Sequence, residues 1–110
     1  MGEKIIDVWM QHPTARFLSE PFFDSLKKWT RREFTDTLPL EATVRAMDEA
    51  GVAVGMMAAW HGPQGALISN DQVAEWIAQF PDRFIGIAAV DLARPLVALR
   101  ELRRCVRDLG

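Results

Sequence analysis

The run from Phe84 to Val90 (Phe-Ile-Gly-Ile-Ala-Ala-Val) is apolar throughout, without the alternation of a half-exposed strand. Such a run suits a strand covered on both faces, the usual condition of a parallel sheet. The segment before it is a helix with both ends marked. Ser69 can cap it, and Gln72 can return the bond in a capping box. Val73, Trp76, Ile77 and Phe80 recur at helical spacing and define one apolar face. Pro81 stops the helix, and Pro81-Asp82-Arg83 makes a tight connection into the strand. A helix feeding a fully covered strand is a β/α crossover, and it constrains everything around it.

The same rhythm runs through the chain. Residues 4–10 (Lys-Ile-Ile-Asp-Val-Trp-Met) and 52–60 are further apolar strand candidates, and residues 84–90 complete the set. Helices are predicted near 40–50, 70–80 and 95–108. Gly51 stands as a left-handed stop for the first of these, and Pro95 occupies a favoured first-turn position in the last. Between the first strand and Pro39 lies a long segment broken by Pro13 and Pro21. Phe22, Phe23, Leu26 and Trp29 predict a short amphipathic helix within it. His61-Gly62-Pro63-Gln64-Gly65 reads as a loop. Strands alternating with helices imply right-handed crossovers and a parallel sheet, so the fold class is α/β, a parallel βαβαβα segment with its helices on one side.

Composition narrows the partners. A chain of 110 residues is one domain at most, and a net charge of −2 offers nothing to a polyanion. Arg100, Arg103, Arg104 and Arg107 interleave with Leu96, Leu99, Leu102 and Val106 at helical spacing, which reads as a solvated helix face. Neither a nucleic acid nor a membrane is expected as a partner: no run reaches the ~18 apolar residues of a membrane span. Cys105 is the only cysteine, which fits a cytoplasmic setting and a packing role. Phosphate-binding glycine motifs and a nucleophile-elbow serine are absent.

Asn70-Asp71, the apolar helix and then Phe80-Pro81-Asp82-Arg83-Phe84-Ile85-Gly86 resemble the signature of the amidohydrolase-related family. Ile5-Ile6-Asp7 and Met47-Asp48-Glu49-Ala50-Gly51-Val52 support the same resemblance. That family comprises (β/α)8 barrels, hydrolases and carboxy-lyases, among them relatives of aminocarboxymuconate-semialdehyde decarboxylase. The resemblance implies that residues 1–110 are a single incomplete domain, the first three strands of a TIM-barrel-like (β/α)8 fold. It also implies a small carboxylated or cyclic substrate and a divalent metal of the zinc type.

The metal motif is where this sequence departs from the family. Members commonly carry Asp-x-His-x-His on the first strand, where residues two apart share a face and both histidines reach one ion. The matching positions here read Asp7-Val8-Trp9-Met10-Gln11, so an indole and an amide replace the imidazoles. His12 stands one residue out of phase. No cofactor is therefore expected with certainty, no metal ligand is assigned, and the catalytic residues are unknown. The candidates for substrate contact are Asp7, Gln11, His12 and His61, with Trp9 and Trp60 stacking on a planar ring. For Asp7 the alternative is a partly exposed strand-end carboxylate, and for His61 a solvated loop histidine.

Three strands cannot close a barrel that needs eight. The open edges this leaves beside apolar faces predict self-association. Two other readings stay open: a non-catalytic truncated α/β module that acts through sheet-edge association, and a small doubly wound domain.

Overall fold

The computed structural model describes residues 2–33 and 37–110. In chain order the elements are β1 (Ile5–Met10), α1 (Ala15–Leu18), a 3-10 turn (Pro21–Phe23), α2 (Asp24–Thr30), α3 (Leu40–Ala50) and β2 (Val52–Ala58). There follow β3 (Trp60–Gly62), β4 (Gly65–Ile68), α4 (Asn70–Gln79), β5 (Phe84–Ile87), α5 (Pro95–Arg104) and a π turn (Cys105–Leu109). Strands β1, β2 and β5 form one sheet in the order β1-β2-β5, parallel at both pairings. This is the parallel α/β arrangement that the alternating pattern predicts, in the strand order that the resemblance to a TIM-like barrel implies.

Local chemistry explains where the elements stop. Gly51 takes φ 74° at the end of α3, and its N–H bonds back to Met47 and Asp48. Ser69 and Gln72 form the full capping box at the start of α4. Arg83 then anchors the turn into β5. Its Nε donates to Ala53 O at 2.9 Å and its Nη2 to Val52 O at 3.0 Å, while Nη1 meets Asp48 at 2.8 Å. One guanidinium thus ties the end of α3, the start of β2 and the entry to β5 together.

Partners in a parallel ladder share a face. Gly55 pairs with Phe84 and Met57 with Gly86, and a Cβ on Gly86 would meet Ile77 and Val73 of α4. That face is therefore the helix side. Met57 and Phe84 are buried there with Leu40 and Met47 of α3 and Val73 of α4 in one core. Complete burial of Met57 contributes about 1.5–3 kcal/mol by itself. Met10 lies over Gly55, filling the space a Cβ would need. The other face carries Ile6 opposite Val54 and Met56 opposite Ile85, with Ile6 and Ile85 about half exposed. Val8 and Trp9 at the β1 edge are also exposed.

Three boundaries differ from the sequence reading. The loop expected at 61–65 is an antiparallel hairpin, with Trp60 opposite Ile68 and a turn through Pro63-Gln64 that closes at Gly65 with φ 121°. The third strand ends at Ile87 rather than Val90, because the Asn70 side chain takes over the backbone groups of Ala89. The second strand ends at Ala58, giving way to the hairpin. The predicted amphipathic helix after Pro21 is α2, but Trp29 on it is exposed. No helix among the described residues is long and apolar enough to cross a membrane.

Candidate functional site

The carboxyl ends of β1 and β2 carry an aromatic group. Trp9 and Trp60 meet edge to face at 6.4 Å between ring centroids. Behind Trp60 lie Phe22, stacked at 6.0 Å, and Phe17, tilted at 5.4 Å. Phe23 completes the cluster against Phe17 at 5.0 Å. Trp60 reaches this position because the hairpin turns it back across the end of the sheet, and Phe22 because Pro21 opens a 3-10 turn there. The two tryptophans proposed as ring-stacking residues are thus brought together. Phe22 and Phe23 belong to a segment whose helical spacing was visible but whose contact with the sheet end was not, and Phe17, on α1, carried no sequence signal.

Asp7 sits within β1, opposite Gly55. Its Oδ1 accepts the backbone N–H of Trp9 at 3.0 Å, within the register irregularity between Asp7 and Met10. The carboxylate therefore steadies the strand where its ladder is interrupted. His12 is buried, with both ring nitrogens engaged. Nε2 donates to Leu38 O at 2.8 Å, which leaves Nδ1 to accept from Thr43 Oγ1 at 2.7 Å. The ring also meets Trp76 edge to face at 4.9 Å. Burial lowers the His12 pKa, the Leu38 carbonyl opposing it, so the neutral ring is favoured. His12 lies past the last residue of β1, so strand phase does not govern it, and its ring sits among α3 and α4.

Gln11 is half-buried, and its Nε2 has no hydrogen-bond partner among the described residues. His61 and Asp91 border a cavity of about 230 Å³ between the hairpin, the start of α4 and α5. Asn70 and Glu101 line the same space. Asn70 Nδ2 donates to Glu101 Oε1 at 2.9 Å, and Arg104 binds both Glu101 and Asp71 at 2.7 Å. Hydrogen bonds from Arg104 and then Asn70 hold the Glu101 carboxyl down at about 2. The Cys105 thiol is pushed up, first by burial and then by Glu101, which suits the packing role read from sequence. Asn70 and Arg83, two residues that carried the family resemblance, are thus structural ties rather than chemical groups.

Among the described residues no three His, Cys, Asp or Glu side chains come together in a way that could hold a metal ion. An indole offers no lone pair to a cation, and a glutamine amide offers only a weak carbonyl oxygen. Trp9 and Gln11 therefore do not fit a divalent metal.

No family model matches the chain. Gamma-resorcylate decarboxylase from Polaromonas sp. (strain JS666 / ATCC BAA-500) is 38% identical over 79 residues, 61% of this chain and 24% of that enzyme. The 2-amino-3-carboxymuconate-6-semialdehyde decarboxylase of Dictyostelium discoideum is 36% identical over 59 residues, 50% of this chain and 16% of that enzyme. Among solved structures, dihydroxybenzoic acid decarboxylase from Polaromonas sp. JS666, with bound manganese and 2-nitroresorcinol, superposes with a TM-score of 0.70 at 28% identity. That superposition takes in 99% of this chain and 36% of that one. The chain thus spans a quarter or less of the curated relatives named here and about a third of a solved barrel. In sequence the chain is similar to these decarboxylases, and its three parallel strands have the fold of part of a (β/α)8 barrel such as theirs.

Proposed function

We propose that this chain is part of a carboxy-lyase that removes the carboxylate of a small hydroxylated aromatic acid. One observation carries the reading: the sequence match to gamma-resorcylate decarboxylase continues as a superposition of nearly the whole chain on a decarboxylase of the same kind. The aromatic group at the carboxyl end of the sheet is suited to such a substrate, since ligands of these folds bind where parallel strands end. Trp9 and Trp60 present indole surface to a planar ring, and Phe22 and Phe17 hold Trp60 from behind.

The metal requirement is shared differently from the family pattern in this reading. Manganese is present in the solved decarboxylase neighbour. Here the first-strand positions hold Trp9 and Gln11, so this strand contributes recognition rather than coordination.

The test is to express the native gene product to its stop codon, supply Mn2+, and offer 2,6-dihydroxybenzoate. The expected outcome is release of bicarbonate and resorcinol, followed by 13C NMR. Hydrolysis of amide or lactone substrates with no decarboxylation would move the protein to the hydrolase side of the family. A second reading rests on the half-exposed Ile6 and Ile85 beside the open β1 and β5 edges: a module that associates through its sheet without catalysis.

A further inference from the structure

We infer that α2 is a contact surface for a second copy of this chain. The two copies lie antiparallel about a two-fold axis near Leu26, with Trp29 of each against Phe22 of the other. The acidic end of one α2 then meets the basic end of the other.

The surface stands out for what it leaves in water. Trp29 is 82% exposed, and Phe22 and Leu26 are 52% and 39% exposed. At positions i, i+4 and i+7 they share one side of the segment that runs from the 3-10 turn through α2. Phe22 keeps this exposure although it stacks on Trp60. Apolar residues exposed singly are ordinary, but three large ones along one line mark an interaction surface. Tryptophan beside arginine is the composition of the buried centre of a contact.

Spacing and charge identify the partner. From the rise per residue of such helices, Leu26 falls within about 1.5 Å of the midpoint between Phe22 and Trp29. Turned end for end, the stripe therefore matches itself, as an isologous contact requires. The two ends carry opposite charge. Glu20 and Asp24 stand at the N-terminal end, and Lys28, Arg31 and Arg32 at the C-terminal end. Asp24, Lys28 and Arg31 border one open hollow, so they lie on one side of the helix. Asp24 is only loosely engaged, with Lys27 at 4.0 Å and most of its side chain in water. Parallel copies would set arginine against arginine. A uniformly acidic partner would set carboxylates against Glu20 and Asp24. Antiparallel copies instead place Asp24 of each beside Lys28 and Arg31 of the other. Three apolar side chains a copy, with these charges, reach only the low end of specific interfaces, about 1,200 Å² in all, so the dimer is a weak one.

The experiment uses the native gene product, expressed to its stop codon and oxidised mildly in cell lysate without purification. Leu26→Cys should give a disulfide-linked dimer on a non-reducing denaturing gel, since a residue beside the axis meets its own copy. Two controls measure chance contacts: the wild-type chain, whose Cys105 is buried, and Glu49→Cys, exposed on α3. Association through the sheet face raises Leu26→Cys and Glu49→Cys alike, so the excess at Leu26, expected to be several-fold, reports the α2 contact. Adding Trp29→Ala to Leu26→Cys should cut the dimer about tenfold or more. Adding Lys28→Glu with Arg31→Glu should cut it roughly fivefold, and Asp24→Lys on top of that pair should restore it. Restoration also shows that the charge variants fold. The inference is overturned if Leu26→Cys crosslinks no more than the controls, or if Trp29→Ala leaves the dimer unchanged. It is equally overturned if Asp24→Lys brings no rescue, the outcome for parallel copies or a different partner. None of these measurements depends on decarboxylation, so this inference and the functional reading stand or fall separately.

Discussion

Asn70 and Ala89 exchange a reciprocal pair of hydrogen bonds. Nδ2 donates to Ala89 O and Ala89 N donates to Oδ1, each at 2.9 Å. The side-chain amide thus does for Ala89 what a neighbouring strand would do, and the chain leaves the sheet without orphaning either backbone group. Asn70→Asp keeps the acceptor but loses the donor and sets a second carboxylate beside Glu101. The expected loss is about 2–3 kcal/mol of stability, and Asn70→Ala should cost at least as much. Urea unfolding of the two variants checks this; a loss below about 0.5 kcal/mol in both would mean that the amide pair carries no weight.

Arg83 is the second tie. Lysine retains charge but cannot serve two carbonyls and a carboxylate in one plane. Arg83→Lys should therefore destabilise by about 1–3 kcal/mol. Asp48→Asn should cost under about 1 kcal/mol, because that carboxylate is largely exposed and the pair is screened. Equal losses in the two variants would assign the effect to the ion pair instead of the carbonyls of Val52 and Ala53.

His12 should give the fold an acid-side weakness. Its folded pKa lies below the ordinary 6.5, so near and below that pH the unfolded chain binds more protons than the folded one. The contribution is complete above pH 6.5 and is lost as pH falls through the folded value. Glu101, held at about 2, adds a loss that begins lower, as pH falls through the usual carboxylate range. His12→Gln should flatten the slope between roughly pH 6.5 and 5 and leave the carboxylate part intact. Thermal midpoints measured across pH 4–8 in both proteins separate the two; parallel curves would clear His12 of the effect.

The half-exposed face of Ile6 and Ile85, continued by Val8 and Trp9 at the edge, should make the 110-residue chain associate. At about 25 cal/mol per Å², several uncovered side chains remove much of the margin of roughly 5–15 kcal/mol on which a small domain depends. Size-exclusion chromatography with light scattering should show oligomers or aggregates at micromolar concentration. A monomer with a sharp, concentration-independent melting transition would show that the core closes on itself.

Much of the fold was legible because its signals are local. The capping box at Ser69 and Gln72, the stop at Gly51 and the apolar runs of β2 and β5 all announce themselves within a few residues, although β5 is covered on the helix side only and Ile85 stays half exposed. The hairpin did not, because Gly62-Pro63-Gln64-Gly65 looks like any loop until Ile68 is found opposite Trp60. The site was half legible. Trp9 and Trp60 could be named from their places at strand ends, but Phe17 and Phe22 reach them through contacts that span about forty residues of chain. His12 lies past the last residue of β1, where strand phase no longer applies, and nothing in sequence brings its partners Thr43 and Leu38 to it.

The hairpin separates two duties that most short chains must combine. The parallel sheet is fixed by α3, α4 and Arg83, whereas Trp60 rides on β3, outside that sheet and joined to β4 by a turn at Pro63 and Gln64. The turn can lengthen, shorten or change residues without disturbing a single strand of the barrel ladder. It works as an adjustable mount set on a rigid frame, so the seat of Trp60 beside Trp9 can drift between homologous proteins while the frame stays the same.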